Sequence, residues 1–233
     1  MDEEMIPLRT VREHYGIWRW KIERDSSNRL VKLWAEIGAS NLDDETKVAL
    51  ANVAWALGSF ERAYDILLED IVRTETAQNT GVPASIRFLT GPYENSLEYL
   101  LGMSLWMDLA DVLVSYRTIV DRFSHLRRAP RRKRISMSVL DIDREIGILR
   151  SRILPELSAE HVTTLANGLL HETWHPSGTR TLGFELYWKG TDTKRFDFAK
   201  ADFRESLNGL VEDTIKQIYD FIFAVIRRHA PEH

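Results

Sequence analysis

The chain of 233 residues contains no cysteine, which excludes disulfide bonds and cysteine-ligated metal sites. It also lacks an apolar run of about 18 residues, the length that a membrane-spanning helix needs. There is no glycine-rich phosphate-binding loop and no His-Glu-x-x-His zinc motif. The acidic start, Met1 to Glu4, does not resemble a secretory signal. These absences lead us to expect a cytoplasmic protein without membrane contact, cofactor or metal ion.

The chain has no net positive charge, because its 35 acidic residues outnumber its 31 lysines and arginines, and the net charge of −4 argues against nucleic-acid binding through bulk charge. One dense basic run nevertheless lies between two helix-like segments and contains Pro130, which predicts an exposed loop. Its cations are Arg127, Arg128, Arg131, Arg132, Lys133 and Arg134. They are candidate contacts for RNA phosphates. A solvated loop, or cations that complement a helix C-terminus, explains the run equally well.

Apolar residues recur every three or four positions through most of the chain, and this period predicts an all-α fold. The expected helices cover about residues 8–37, 44–71, 93–126, 139–154, 158–171 and 202–228. The β-like composition of 181–188 and 194–198 predicts a short hairpin before the last helix. We divide the chain into an N-terminal helical extension, 1–42, and a helical domain, 43–233.

Residues 51–64 resemble one tetratricopeptide unit, because they combine small residues with a step from Leu57 to Gly58. Such units bury their faces against neighbouring copies, and the sequence holds no second copy. The alternative is a single helix of the bundle, in which Gly58 is tolerated or marks a tight turn.

The most informative stretch runs from Leu165 to Pro176. Asn167 and His171 are four residues apart at the end of an apolar-periodic segment, so on a helix they share one face. A histidine near its free pKa can transfer protons at neutral pH. His171 and His175 are also four apart and could hold a metal ion on a helix. The proline at 176 and the lack of an obvious carboxylate partner weigh against that metal site.

This stretch is followed by a polar turn, a strand-like segment and an amphipathic closing helix, and the whole resembles the C-terminal half of a HEPN domain. HEPN domains are all-helical bundles whose signature is an arginine, a polar residue, three further residues and a histidine. Asn167 and His171 match that signature in register, whereas Ala166 occupies the arginine position. The resemblance covers about residues 45–229 and depends mainly on the segment from Thr163 onward.

The resemblance implies a metal-independent endoribonuclease that acts as a homodimer, as a toxin or an antiviral abortive-infection effector, with an antitoxin or another protein as regulator. In such an enzyme the RNA 2′-hydroxyl is the nucleophile and a histidine transfers the protons. The signature arginine neutralises the phosphate, and the polar residue orients the histidine or the phosphate. We therefore assign proton transfer to His171 and orientation to Asn167.

The alanine at position 166 removes the main cation of this site, so we expect catalysis to fall by orders of magnitude. Two explanations remain open, a naturally inactive protein and an engineered inactive form. A helical interaction or scaffold protein, in which His171 only bonds to the backbone of its helix end, is the alternative without catalysis. A second Arg-x4-His match joins Arg228 to His233 at the C-terminus, but Pro231 interrupts it.

Overall fold

The computed structural model describes residues 30–80, 96–128, 138–154, 160–171, 175–180, 183–188, 192–198 and 200–229. These residues form six helices: α1 (30–39), α2 (Asp44–Thr80), α3 (Ser96–Arg128), α4 (Val139–Ser151), α5 (Val162–His171) and α6 (Ala201–Arg228). Five short strands accompany them: β1 (Ile153–Leu154), β2 (Glu160–His161), β3 (His175–Arg180), β4 (Gly183–Trp188) and β5 (Asp192–Asp197). The predicted helical fold is confirmed, and a small antiparallel sheet accompanies the bundle.

The first two described helices fold back on one another around a cap and a close contact. Asp43 caps α2, because its Oδ1 accepts a hydrogen bond of 2.8 Å from the backbone N–H of Thr46. α1 then lies so close to α2 that a Cβ atom on Gly58 would come within 3.2 Å of the Leu30 side chain. Glycine at position 58 therefore permits the approach of two helices.

The tetratricopeptide prediction is wrong for residues 51–64. All of these residues lie inside α2, which runs without interruption for 37 residues. A tetratricopeptide unit needs two helices joined by a turn, and no turn occurs at Gly58. The tight-turn interpretation of this glycine is also wrong, and the single bundle helix is correct.

α3 is the scaffold of the bundle, as its length predicts. Its 33 residues extend about 50 Å at the usual helical rise. α2, α4, α5 and the three-stranded sheet all pack against it. Phe60 of α2 meets Tyr116 of α3 edge to face, with ring centroids 5.7 Å apart. The hydrophobic core includes Leu33, Ile37 and Leu42, so residues 30–42 pack on the same core as the rest of the bundle.

The sheet contains the predicted hairpin and one strand that was not expected. β4 pairs with β5 in antiparallel register, from Gly183 opposite Asp197 to Trp188 opposite Asp192. β3 pairs with the other edge of β4, although residues 177–180 were predicted to form a turn. The register shifts between Pro176 and Gly178, which marks a β-bulge. A bulge accommodates proline and glycine inside a strand, and this explains the wrong prediction.

The chain between α4 and α5 also differs from the prediction. α4 ends at Ser151 instead of Leu154, since Arg152 is extended with ψ of 135°. The residue before a proline disfavours helix, and Pro155 follows the two residues of β1. β1 pairs with β2, so α5 begins at Val162, later than the predicted start at residue 158. Residues 155–159 lie outside the described part of the chain.

The closing helix has the predicted position and its apolar stripe. It begins at Ala201 and ends at Arg228. Phe221 is buried and meets Phe123 of α3 edge to face, with ring centroids 5.0 Å apart. Among the described residues, no helix combines the length and the hydropathy that a membrane span requires.

Candidate functional site

The position of the missing arginine lies in the hydrophobic core. α5 packs on α3, and the Ala166 side chain has 0% of its surface exposed. Val162, one turn earlier on the same helix face, is also fully buried. An arginine side chain at position 166 would therefore point toward the core of its own chain.

The polar member of the motif faces the opposite environment. Asn167 is exposed, because neighbouring positions on a helix point about 100° apart. His171 is the last residue of α5, one turn after Asn167, and its side chain lies outside the described part of the structure. The structure thus separates position 166, on the core side of α5, from Asn167 on the solvent side.

The basic run is only partly described. Arg127 is exposed at the end of α3, where its Nε lies 2.7 Å from Asp143 Oδ1. Arg128 is the last residue of α3, so these two cations belong to the helix and not to a loop. The side chain of Arg128 and the residues Arg131, Arg132, Lys133 and Arg134 lie outside the described part. The one cation whose side chain is described already has an acidic partner.

His171 and His175 do not share a helix face, so the arrangement that would let them hold a metal ion together is not formed. His175 is the first residue of β3, so it does not follow His171 on one helix. Within the described ranges, no group of three or more histidine and acidic side chains is placed to hold a metal ion.

A groove lined by described side chains lies between α4 and α6. It encloses about 510 Å³. Its floor is apolar and contains Phe221, Ala224 and Val225, and Ile148 adds an apolar side chain to the α4 wall. Polar and charged residues form the rest of its walls and its ends: Ser138, Asp141, Arg144, Glu145, Arg152, Asp213, Lys216, Gln217, Asp220, Arg228 and His229.

A chain of hydrogen bonds crosses this groove and joins the two helices. Arg144 Nη2 donates to Glu145 Oε1 at 2.9 Å, and Gln217 Nε2 donates to Glu145 Oε2 at 2.7 Å. Arg152 Nη2 donates to Gln217 Oε1 at 2.8 Å and to the backbone oxygen of Asp213 at 3.1 Å. The Glu145 side chain is buried, and these bonds supply both of its carboxyl oxygens with partners. Long polar side chains therefore bridge α4 and α6.

A buried tyrosine fixes the end of α4 beneath the groove. Tyr116 donates from its hydroxyl to the backbone oxygen of Leu149 at 2.6 Å. Burial raises the pKa of Tyr116 well above its ordinary value, although the nearby Arg152 and a hydrogen bond with Thr214 act in the opposite direction. This tyrosine therefore stays protonated at neutral pH and holds α4 against α3.

At the other end of the groove, exposed arginine side chains lie over less exposed acidic side chains. Arg228 of α6 donates a hydrogen bond to Asp141 of α4, and this bond holds the pKa of Asp141 below its usual value. The exposed side-chain fractions are 24% for Asp141 and 7% for Glu145, but 57% for Arg228 and 63% for Arg144. The charge that meets solvent at this end is consequently positive.

Sequence reasoning did not find the groove, and it noted Arg228 only for the second Arg-x4-His match. That match has no described geometry, because His233 lies outside the described residues. One signal was present in the sequence. Glu145 lies on the apolar face of α4 between Ile142 and Leu149, where an acid needs a polar partner from another element.

Comparison of the chain with models of protein families, with curated proteins and with solved structures found no match. The resemblance to HEPN domains therefore depends on the motif and on the order of the elements. Functional inference for this chain depends on its own geometry.

Proposed function

We propose that this protein is a non-catalytic helical protein that acts by binding a partner. The observation that carries the proposal is the complete burial of Ala166 in the core of its own chain. An arginine that neutralises an RNA phosphate must reach solvent, and in a dimer it must also reach the facing chain. Position 166 instead points into the core of its own chain.

The free-energy cost of placing an arginine side chain at position 166 favours alanine there. Overpacking a well-packed core costs about 1–3 kcal/mol. A guanidinium without a partner adds a desolvation cost of several kcal/mol in real proteins. Replacing an arginine that reaches solvent would leave an alanine near the surface, whereas Ala166 is 0% exposed.

The test compares two arginine substitutions on α5, Ala166→Arg on the buried face and Thr164→Arg on the exposed face. We expect Ala166→Arg to lower the free energy of unfolding by at least about 3 kcal/mol, and Thr164→Arg to change it by less than about 0.5 kcal/mol. Urea unfolding measures both values. In parallel, both variants and the wild type are incubated with structured and single-stranded RNA, and the products are examined for 2′,3′-cyclic phosphate ends. We expect no cleavage by any of the three.

The proposal is contradicted if Ala166→Arg keeps wild-type stability and cleaves RNA, and if this cleavage disappears when His171 is also replaced by alanine. RNA cleavage by the wild type would contradict it as well.

The second candidate is a HEPN-type endoribonuclease whose activity is lost through Ala166. The observation in its favour is that Asn167 is exposed and one turn from His171 on the same helix face. This candidate includes RNA as the substrate, a homodimer as the active form and an antitoxin or another regulatory protein as partner. Analytical ultracentrifugation tests it separately, since it requires a dimer in which Asn167→Arg weakens association or RNA binding.

A further inference from the structure

We infer that the groove between α4 and α6 binds an amphipathic α-helix of another protein, with the acidic N-terminal turn of that helix beside Arg144 and Arg228. The inference rests on the proposed function, because it names the kind of partner that a binding protein of this shape accepts. Neither the described side chains of α5 nor Arg127 line this groove.

The shape of the groove fits a helix. Its walls are two helices bridged by Gln217 and Arg152, so the space above these side chains stays open. α4 contains 13 residues, and this wall is therefore about 20 Å long. A partner helix of about 13 residues matches that length and can pack its side chains between those of α4 and α6.

The chemistry of the groove resembles a protein interface. Its floor is apolar and its rim is charged, the arrangement found in protein–protein contacts. Ile148 on the wall is 41% exposed, and Leu140, which lies outside the groove one turn before Arg144, is 80% exposed. Apolar side chains spaced three, four and seven residues apart on a partner helix can cover this surface.

The exposed charge changes along the groove. At the Asp141 end, Arg144 and Arg228 meet solvent above less exposed acids. At the opposite end the Asp213 side chain is 75% exposed and its partner Arg152 is only 14% exposed, but Lys216, one turn further along α6, is also 75% exposed. The Asp141 end therefore presents mainly positive charge, whereas the Asp213 end presents both signs.

This difference orients the partner. Helices favour acidic residues in their first turn and basic residues in their last turn. The first turn of the partner then lies beside Arg144 and Arg228, which orient it, and its last turn lies toward the other end of the groove. Because α4 begins at the same end, the partner helix runs parallel to α4 and antiparallel to α6.

The first experiment uses two labelled peptides of about 14 residues with the same composition and the same leucine spacing. One carries Glu in its first turn and Lys in its last turn, and the other carries the reverse. Fluorescence anisotropy with the full chain measures the dissociation constants at low salt. We expect the Glu-first peptide to bind at least five-fold more tightly, and we expect added salt to reduce this preference.

Variants of the groove identify the surface. Ile148→Asp places a charge on the apolar wall and should weaken binding by at least ten-fold. Val48→Asp is the matched control, since Val48 is exposed on α2 and not part of the groove, and it should leave binding unchanged. The double variant Arg144→Glu and Arg228→Glu should reverse the preference between the two peptides. Urea unfolding of each variant confirms that it is folded.

A displayed library of helical peptides of the same length, with every position varied, removes the dependence on one designed sequence. We expect wild-type protein to enrich peptides with acidic first turns, and Ile148→Asp protein to enrich none of them. Failure to enrich any helix, or equal enrichment by both proteins, overturns the inference. A fatty acid is the alternative occupant of an apolar groove, and decanoate serves as its probe. The inference is also overturned if decanoate binds the groove in an Ile148-dependent manner while no peptide binds. RNA cleavage by the wild type overturns the proposed function alone, because it leaves the peptide measurements unaffected.

Discussion

The contact between α2 and α3 is closed by apolar side chains, whereas the contact between α4 and α6 is bridged by polar ones. Phe60 and Leu67 of α2, and Leu109 and Tyr116 of α3, are almost completely buried. Between α4 and α6, the bridging atoms belong to Glu145 and Gln217, and an open groove lies above them. The difference teaches that the first contact supplies stability and the second leaves surface free for a partner.

The largest expected effect is the difference in the free energy of unfolding between substitutions at the two contacts. Phe60→Ala removes a fully buried ring, so we expect a loss of about 3–5 kcal/mol in the free energy of unfolding. Ile148→Ala on the groove wall should cost less than about 1 kcal/mol, because Ile148 is already partly exposed. Urea unfolding of both variants measures the values. Equal losses would remove the distinction between a closed and an open contact.

A buried tyrosine between α2 and α6 makes the stability of the bundle depend on alkaline pH. Tyr64 of α2 donates to Asn208 Oδ1 of α6 at 2.9 Å. Burial, with smaller contributions from Glu212 and Asp65, raises the pKa of Tyr64 from 10.0 to about 12. The folded state thus holds this proton more tightly than the unfolded state. The resulting stability is complete below pH 10 and is lost as the pH rises toward about 12.

Tyr64→Phe removes this dependence. At neutral pH the variant should be less stable by about 1 kcal/mol, since it lacks the hydrogen bond to Asn208. Between pH 10 and about 12 its stability should fall less steeply than that of the wild type. Urea unfolding at several alkaline pH values measures the slopes. Identical slopes would show that Tyr64 does not ionise differently in the folded and unfolded states.

Alanine substitutions at two helical glycines should change the stability of the protein by smaller amounts. Nothing lies within 4 Å of a Cβ atom built on Gly147 of α4, so Gly147→Ala should stabilise the protein by about 0.5–1 kcal/mol. The same substitution at Gly58 should gain nothing or destabilise, because the new methyl group would meet Leu30 at 3.2 Å. Thermal unfolding of both variants measures the difference. A similar gain at both positions would mean that α1 does not pack closely on α2.

The smallest effect belongs to the open contact and to acidic pH. The hydrogen bond from Arg228 holds the pKa of Asp141 below 3.8, so the stability from this pair is present above that value. It is lost as the pH falls through the lowered pKa. Asp141→Asn should cost only about 0.5 kcal/mol near neutral pH, since both partners meet solvent. Urea unfolding should show the difference from wild type shrinking in acid, and a difference that grows in acid would contradict the assignment.

The helices could largely be predicted from the sequence, because their apolar periods are long. α6 was predicted from 202 to 228 and begins at Ala201, and the scaffold role of α3 follows from its length. The strands β1 and β2 have two residues each, which is too short for any period to be recognised. β3 contains proline and glycine at its bulge, and those residues normally indicate a turn.

The burial of Ala166 was also present in the pattern. Val162 and Leu169 flank it at the helical period, so these positions share one face of α5. The motif singles out the histidine, whereas the apolar stripe on the same helix indicates that position 166 is buried. The groove had no comparable signal, because Glu145 and Gln217 are 72 residues apart and meet only after both helices pack on the bundle.

Because side-chain hydrogen bonds bridge α4 and α6, the length of the bridging side chains affects the width of the groove. Gln217 reaches Glu145 and Arg152 through a linker of two methylene groups. Asn at this position would shorten the linker by one methylene group and draw the two helices together, or it would break the bridge. A single residue outside the apolar core thus acts as a spacer between the two helices.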